Sequence, residues 1–491
     1  VQALRRISLT SGYSGAIAGS VIVNSTGENT GHLFTTQSTT TNHVIEISAG
    51  RSGGAMGGNI VFTDVEFTDA GGDITVWARN AGSRILMQAP GGSITQNDGL
   101  LRAEILSLTS HGDISLDLTD VVRIGAGTID GATLWKDGFV KDSGDNVFID
   151  GIIITGPGSL TMLETDALII DNILTASGAI TITNLVDSEG DFLLGTLNAT
   201  SGPITLTADG AIRDNLAGQN IVNLTTTGLV TLEAKTGIGG PGIEDIDTDI
   251  GSLQAKTTVS GGIHIDERNG LVIAGPVTTS ANGPVLISLQ TGDLTVNDVI
   301  TPNGSGNLLL EVLQGAANIN AAVTTTTGNI YIDANLRITL GEDAVIRTAT
   351  PGTIGLISQN RGIVMDAAAT VTANNSAINL TSLGLTDGDI ILGTLAAPDV
   401  VVISENFSIF RAADSGTNVF AENLQLSANN AIGTPADPLS IQVDTLAARA
   451  NGVNAAIRGL FIVQDGDVTV GLITPVDVFV VDVLNNATAT M

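Results

Sequence analysis

The chain has 491 residues and a net charge of −31 from 50 acidic and 19 basic residues; it has no cysteine, and its hydrophobic fraction of 43% includes only 3% aromatics. These values exclude disulfides, thiolate metal sites and cysteine nucleophiles. They also exclude a nucleic-acid surface, which needs clustered Lys and Arg to neutralise phosphates. Anionic lipid headgroups are equally poor partners, and no apolar run approaches the ~20 residues of a membrane span.

Residues 1–56 read as an irregular N-terminal cap or subunit-contact segment. Short β-like pieces at 6–10, 17–23 and 43–48 are separated by Thr-, Ser- and Gly-rich stretches, and the 17–23 piece is a candidate for a strand lent to a neighbouring subunit. Val1–Arg6 is no signal peptide, so the chain is expected to be a mature product or a segment of a longer one.

Regular patterning starts at Gly57, and the span 57–475 reads as a β-solenoid. Three lines of twenty residues open at Gly71, Gly91 and His111, each with Gly, a small polar residue and then Ile74, Ile94 or Ile114. Ile85 and Leu86 face Ile105 and Leu106 at the same offset. The segment 131–150 carries Trp135, Lys136, Asp137, Lys141 and Asp142 and reads as an inserted loop. Repetition resumes where Leu174–Ile180 is echoed by Leu197–Ile204.

The cleanest run has lines starting at Val277, Ile300, Val323, Ile346 and Val371, spaced by 23, 23, 23 and 25 residues. Ile238-Gly-Gly-Pro241 is echoed by Ile432-Gly-Thr-Pro435, 194 residues later, which suggests a larger module containing several coils. Residues 476–491 read as a terminal strand and tail, with Val476–Leu484 fitting a last coil or an intermolecular strand.

A 20–25-residue repeat with short alternating strands and no helical period predicts an all-β, right-handed parallel β-helix (β-solenoid) of roughly 20 coils. At roughly 4.8 Å per coil it would form a rod on the order of 100 Å long. Aliphatic residues would stack inside it, and glycine at the corners would supply positive φ. A string of small antiparallel sandwiches is the competing fold.

The Gly-Asp-Ile type lines (Gly72–Thr75, Gly112–Ser115, Gly388–Ile391), the Leu-x-Ala…Gly-x-Ile lines and Ile432–Leu439 followed by Val443–Leu446 carry a family likeness. The chain resembles bacterial large exoproteins of the filamentous-haemagglutinin type, including the "beta strand repeat" surface proteins. The resemblance implies a secreted, cell-surface β-helix with adhesive or structural duty. Members exported by a two-partner route carry an Asn-Pro-Asn-Gly type motif in an N-terminal domain; the nearest match here, Thr301-Pro-Asn-Gly304, lies deep in the chain and reads as a coil corner.

Chemistry is sparse. Carboxylate groups suited to a polysaccharide lyase or hydrolase occur at Asp64, Glu66 and Asp69, at Glu244, Asp245, Asp247 and Asp249, and at Asp266, Glu267 and Arg268. The run Glu244, Asp245, Asp247, Asp249 is densest and is the candidate calcium site, against a solvated acidic loop. His32, His43, His111 and His264 lack metal-ligand spacing, and no nucleophile motif is present. Trp77 and Trp135 are candidates for stacking on sugars.

Sequons at Asn24, Asn198, Asn223, Asn303, Asn374, Asn379, Asn406 and Asn486 occur at about the frequency the composition gives. The expectation is a non-enzymatic extracellular structural or adhesive solenoid without a cofactor. It would self-associate end to end or by strand exchange, as a stalk or the subunit of a surface filament. A polysaccharide-binding or polysaccharide-cleaving β-helix is the alternative.

Overall fold

The computed structural model describes isolated strands between residues 2 and 154. From 159 to 490 it describes the backbone and most side chains, apart from 165–167, 176–177, 185–189, 217–220, 350, 453–457 and 475–476. The chain divides into two compact units, Val1–Lys235 and Thr236–Met491. The fold is an all-β solenoid of stacked parallel strands, and no helix occurs among the described residues.

In the second unit each coil places one strand on each of three ladders. On the first, Ile265, Ile287, Leu310, Ile332, Leu356, Leu380, Val402, Leu426 and Ala448 are successive register partners, so coils run 22 to 24 residues. On the second, Leu271, Leu294, Ala317, Ile338, Ile363, Ile390, Ile409 and Ile432 stack in the same way. The third joins Val277, Ile300, Val323, Ile346 and Val371, the residues that open the sequence lines. Alternate residues point inward, which is why Ile330-Tyr-Ile332-Asp-Ala334 reads buried, half-buried, buried, half-buried, buried.

The corners explain two composition biases. A Cβ at Gly283, Gly306, Gly328 or Gly352 would lie 1.9, 2.2, 1.8 or 2.2 Å from the carbonyl oxygen of the corner glycine one coil earlier. Glycine is therefore needed at these corners for close approach of backbones rather than for the expected positive φ. The corner carbonyls are in turn capped by buried threonines: Thr279 Oγ1 donates to Gly283 O at 2.5 Å, and Thr325 and Thr348 Oγ1 both donate to Gly328 O at 2.7 Å. The repeated Val-Thr-Thr opening thus combines an inward valine with an outward threonine and a corner-capping one.

The 194-residue echo is structural. Ile238 and Ile246 pair with Ile263 and Ile265, so residues 239–245 form a loop pinched out of the ladder. Ile432 and Leu439 pair with Leu460 and Ile462 in the same manner. Gly239 (φ +63°) and Gly433 (φ +66°) open the two loops in the left-handed region that favours glycine.

Two fully buried asparagines extend the correspondence. Asn223 Nδ2 donates to Leu194 O and Gly195 O at 3.0 and 3.2 Å, and Asn418 Nδ2 donates to Leu392 O and Gly393 O at 2.9 and 3.1 Å. Both clamps hold a Leu-Gly-Thr-Leu strand, at Leu194–Leu197 and Leu392–Leu395. Replacing Asn418 by alanine removes the side-chain donor to Gly393 O and leaves Leu392 O with Ala412 N alone, and we expect a loss of about 1–3 kcal/mol in urea unfolding. An unchanged midpoint would contradict the clamp.

The first unit departs from the expected regularity. Ile7 pairs with Ile45 and Ile45 with Ile85, so early coils are nearly twice the expected length and the turns are fewer than the roughly 20 expected. Of residues 1–56, the described strands Arg6–Ser11 and Val21–Asn24 join ladders with Val44–Ala49 and Ile60–Thr63 of the same chain. Of the 17–23 piece expected as a strand for a neighbour, Val21, Ile22 and Val23 are paired internally, and 17–20 lie outside the described residues.

Of the three twenty-residue lines, Ile94 and Ile114 are register partners as counted, whereas Ile85 pairs with Leu106, one residue off. Thr75–Ala78 belongs to a different ladder, opposite Leu100–Arg102. Leu106 pairs with Ile149, 43 residues on, and between them Thr128–Ile129 and Ala132–Thr133 form a small antiparallel pair. Trp135 and the charged residues beside it lie outside the described residues.

Candidate functional site

The outward side of the first ladder in the second unit carries two parallel rows, because residues of one parity on successive strands stack in register. One row runs His264, Leu286, Leu309, Tyr331, Gly355. The other runs Asp247, Asp266, Ser288, Glu311, Asp333. An apolar stripe therefore lies beside an acidic one on the outside of the coil stack.

The apolar stripe is covered. Val478–Val481 and Ala487–Thr490 form an antiparallel hairpin that, among the described residues, pairs only with itself. Val478 lies against Gly355, Val481 clusters with Leu286, Leu309 and Tyr331, and Val483 lines a small depression with His264 and Leu309. The strand thus crosses successive coils along the stacking direction. Phe479 N donates to Thr353 Oγ1 at 2.9 Å and Asn307 Nδ2 to Asn485 Oδ1 at 3.0 Å. Leu286 and Leu309 are 4% and 2% exposed beneath it. Within residues 476–491, expected as a terminal strand and tail, the described residues 478–490 form a hairpin folded back over the chain's own coils, and Val478–Leu484 is not a last coil.

The acidic row is held by hydrogen bonds from neutral side chains. Gln290 Nε2 donates to both oxygens of Asp266 at 2.9 Å, Ser288 Oγ to Glu311 Oε2 at 2.9 Å, and Gln359 Nε2 to Asp333 at 2.9 and 3.0 Å. Burial raises the pKa of Asp266, Glu311 and Asp333 above the ordinary carboxylate range, and repulsion from Asp333 and Asp266 adds to the rise at Glu311. Burial likewise raises Tyr331, which shares a hydrogen bond with Asp333.

His264 behaves in the opposite sense. It is 7% exposed, its Nδ1 has no partner among the described residues, and burial pushes its pKa down to about 4. Its folded pKa lies below the unfolded value, so the stability it contributes is present above pH ~6.5 and is lost as pH falls toward 4, by roughly 3 kcal/mol. The carboxylates have raised folded pKa values; their contribution is full at acid pH and is lost as pH rises through those values. Replacing Glu311 by glutamine keeps an acceptor for Ser288 and removes the repulsion. We expect a higher urea midpoint than wild type at pH 7–8, with the difference vanishing in acid; equal midpoints throughout would contradict this assignment.

The two sequence-derived clusters that fall on described residues are not gathered into one site. Asp266 and Glu267 are neighbours on one strand, so their side chains leave on opposite sides. Glu267 is fully buried, accepting from Thr248 Oγ1 at 2.7 Å, Ile250 N at 3.1 Å and Asn269 N at 2.9 Å, which makes it a structural clamp rather than an acid or base. Glu244 is exposed in the pinched loop, Asp247 is buried in the acidic row, and Asp249 accepts from Asn269 Nδ2 at 2.8 Å. No group of three or more His, Asp or Glu suited to a metal ion occurs among the described residues.

Asp64, Glu66, Asp69, His32, His43 and His111 lie outside the described residues, and of Trp77 only the backbone is described. The sequon at Asn223 falls on a fully buried side chain. The acidic row was missed because its members are spread over five coils; aligning the lines on their inward residues puts Asp266, Ser288, Glu311 and Asp333 in one column. Comparison with protein-family models, curated proteins and solved structures found no match to this chain.

Proposed function

We propose that the protein is a non-enzymatic structural or adhesive solenoid of a bacterial cell surface, of the filamentous-haemagglutinin-like kind that its lines resemble. The observation that carries this reading is the continuous register between Val277 and Val371 in the second unit, where three aliphatic ladders run coil after coil and are closed at the corners by glycine and threonine. Every strand in such a stack is held by backbone bonds on both sides, which gives stiffness independent of any ligand. The recurrence of the Leu-Gly-Thr-Leu strand, asparagine clamp and pinched loop about 195 residues apart supports a modular, extensible design. The net charge of −31 keeps neighbouring copies soluble. No helix among the described residues is long and apolar enough to cross a membrane.

A polysaccharide-binding or polysaccharide-cleaving function is the second reading, favoured by the acidic row beside Tyr331. Incubation with acidic polysaccharides separates the two: no new unsaturated or reducing ends are expected, and turnover would overturn the structural reading. Electron microscopy of purified protein distinguishes a filament subunit, seen as uniform fibres, from an adhesin stalk, seen as isolated particles.

A further inference from the structure

We propose that the C-terminal hairpin docks on the outward face of a second copy of this chain, in the place it occupies on its own. This deepens the self-association within the proposed function by naming the donor and the acceptor. The donor is the hairpin 478–490 with its turn, and the acceptor is the stripe Leu286, Leu309, Tyr331 and Gly355 with the polar partners Asn307 and Thr353.

Three observations carry it. First, the hairpin is a self-contained unit. Its four pairs run Val478–Thr490 to Val481–Ala487, and its turn is closed by Asp482 Oδ1 accepting from Leu484 N at 3.0 Å and Asn486 N at 2.8 Å. Among the described residues no ladder bond joins it to the coils, so it can leave without breaking a coil, yet an isolated two-stranded hairpin needs an apolar face to be stable.

Second, the acceptor is built for it. In Val285–Leu289 and Leu308–Val312 the outward positions hold Leu286 and Leu309 where a solvent-facing row would be polar. Gly355 leaves room beside Val478, and Gly242 leaves room beside Leu484.

Third, the connection is short for what it spans. Thr469 and Val470 pair with Thr445 and Leu446, while Val478 rests on the coil of Ile354–Ser358, and the coils at 377, 399 and 423 lie between. That is five coil steps, about 24 Å, to be covered by about eight residues whose full extension is roughly 26 Å. A nearly taut connection lowers the effective concentration of the hairpin at its own face, and short strained hinges favour exchange between copies. Leu472, in this connection, is fully exposed. The net charge of −31 opposes the encounter, so exchange should increase with ionic strength.

The absence of cysteine makes the test direct. Full-length Asn307→Cys and Asn485→Cys are prepared separately, mixed at high concentration, and treated with a short bismaleimide. A covalent heterodimer, absent when either variant is treated alone, is the expected result. Its yield should rise with protein and salt concentration. It should fall several-fold when flexible residues are inserted between Thr474 and Asp477, because slack favours closure within one chain.

The Asn307→Cys/Asn485→Cys double variant at low concentration should close within the monomer, and once closed it should no longer exchange. The proposal is overturned if the double variant closes while the mixture gives no heterodimer at any concentration. It is equally overturned if the double variant stays open, since the hairpin would then not occupy the face. Either failure leaves the stacked structural reading standing, because that reading is judged by microscopy of the wild-type protein.

Discussion

Gly328→Ala is expected to destabilise the second unit by at least ~4 kcal/mol, although it adds a single methyl group. The added Cβ would sit 1.8 Å from the carbonyl oxygen of Gly306, a backbone atom fixed in its own coil. Relief requires the two coils to part at that corner. The corner carbonyl of Gly328 accepts from both Thr325 and Thr348 at 2.7 Å, so parting also breaks buried caps. Gly416→Ala is the matched control: nothing lies within 4 Å of its added Cβ, and a change within ~0.5 kcal/mol is expected. Urea unfolding of the two variants measures the contrast, and similar midpoints would remove close corner packing from the account.

Ile332→Asp is the second large effect. Ile332 is fully buried, with Leu310 and Leu356 as its register partners one coil to either side. A carboxylate there has no polar partner; it must ionise in an aliphatic stack or stay protonated at neutral pH, and either costs more than ~5 kcal/mol. The variant is expected to lose cooperative unfolding of the second unit at pH 7. The outward neighbour provides the contrast: Asp333→Asn retains an acceptor for Gln359 and should leave that unit folded. Circular dichroism with limited proteolysis reads both, and a folded Ile332→Asp protein would contradict the inward assignment.

The third ladder was legible because its signal is local and repeated. A branched aliphatic residue followed by polar residues recurs at coil spacing, and the lines opening at Val277, Ile300, Val323, Ile346 and Val371 are true register partners. The early lines were less legible. Equal spacing suggested that Ile74, Ile94 and Ile114 stack, but the register partner of Ile94 on the other side is Ile60. Coil steps here vary from 20 residues, between Ile94 and Ile114, to 40, between Ile45 and Ile85, so an equally spaced echo does not stay on one ladder.

The covering hairpin was not legible from repetition. Phe479 and Thr353 are 126 residues apart, and no periodicity encodes a contact perpendicular to the coils. One trace was present in the broken alternation of Val285–Leu289 and Leu308–Val312, where apolar residues occupy both faces. The carboxylate clusters misled for a related reason. Proximity in sequence places Asp266 and Glu267 on opposite sides of a strand, while the acidic row assembles from residues one coil apart.

The central claim is that successive coils stack in parallel register, and distances between paired spin labels on the second ladder test it most directly. Thr295, Asn318, Thr339, Val364 and Ile391 are successive outward register partners, and the cysteine-free chain accepts label pairs without background thiols. Pairing Thr295 with each of the others should give separations that lengthen by about 4.8 Å per coil, reaching about 19 Å at Ile391. A series that does not lengthen steadily, as antiparallel sandwiches of this sequence would give, would contradict the stack.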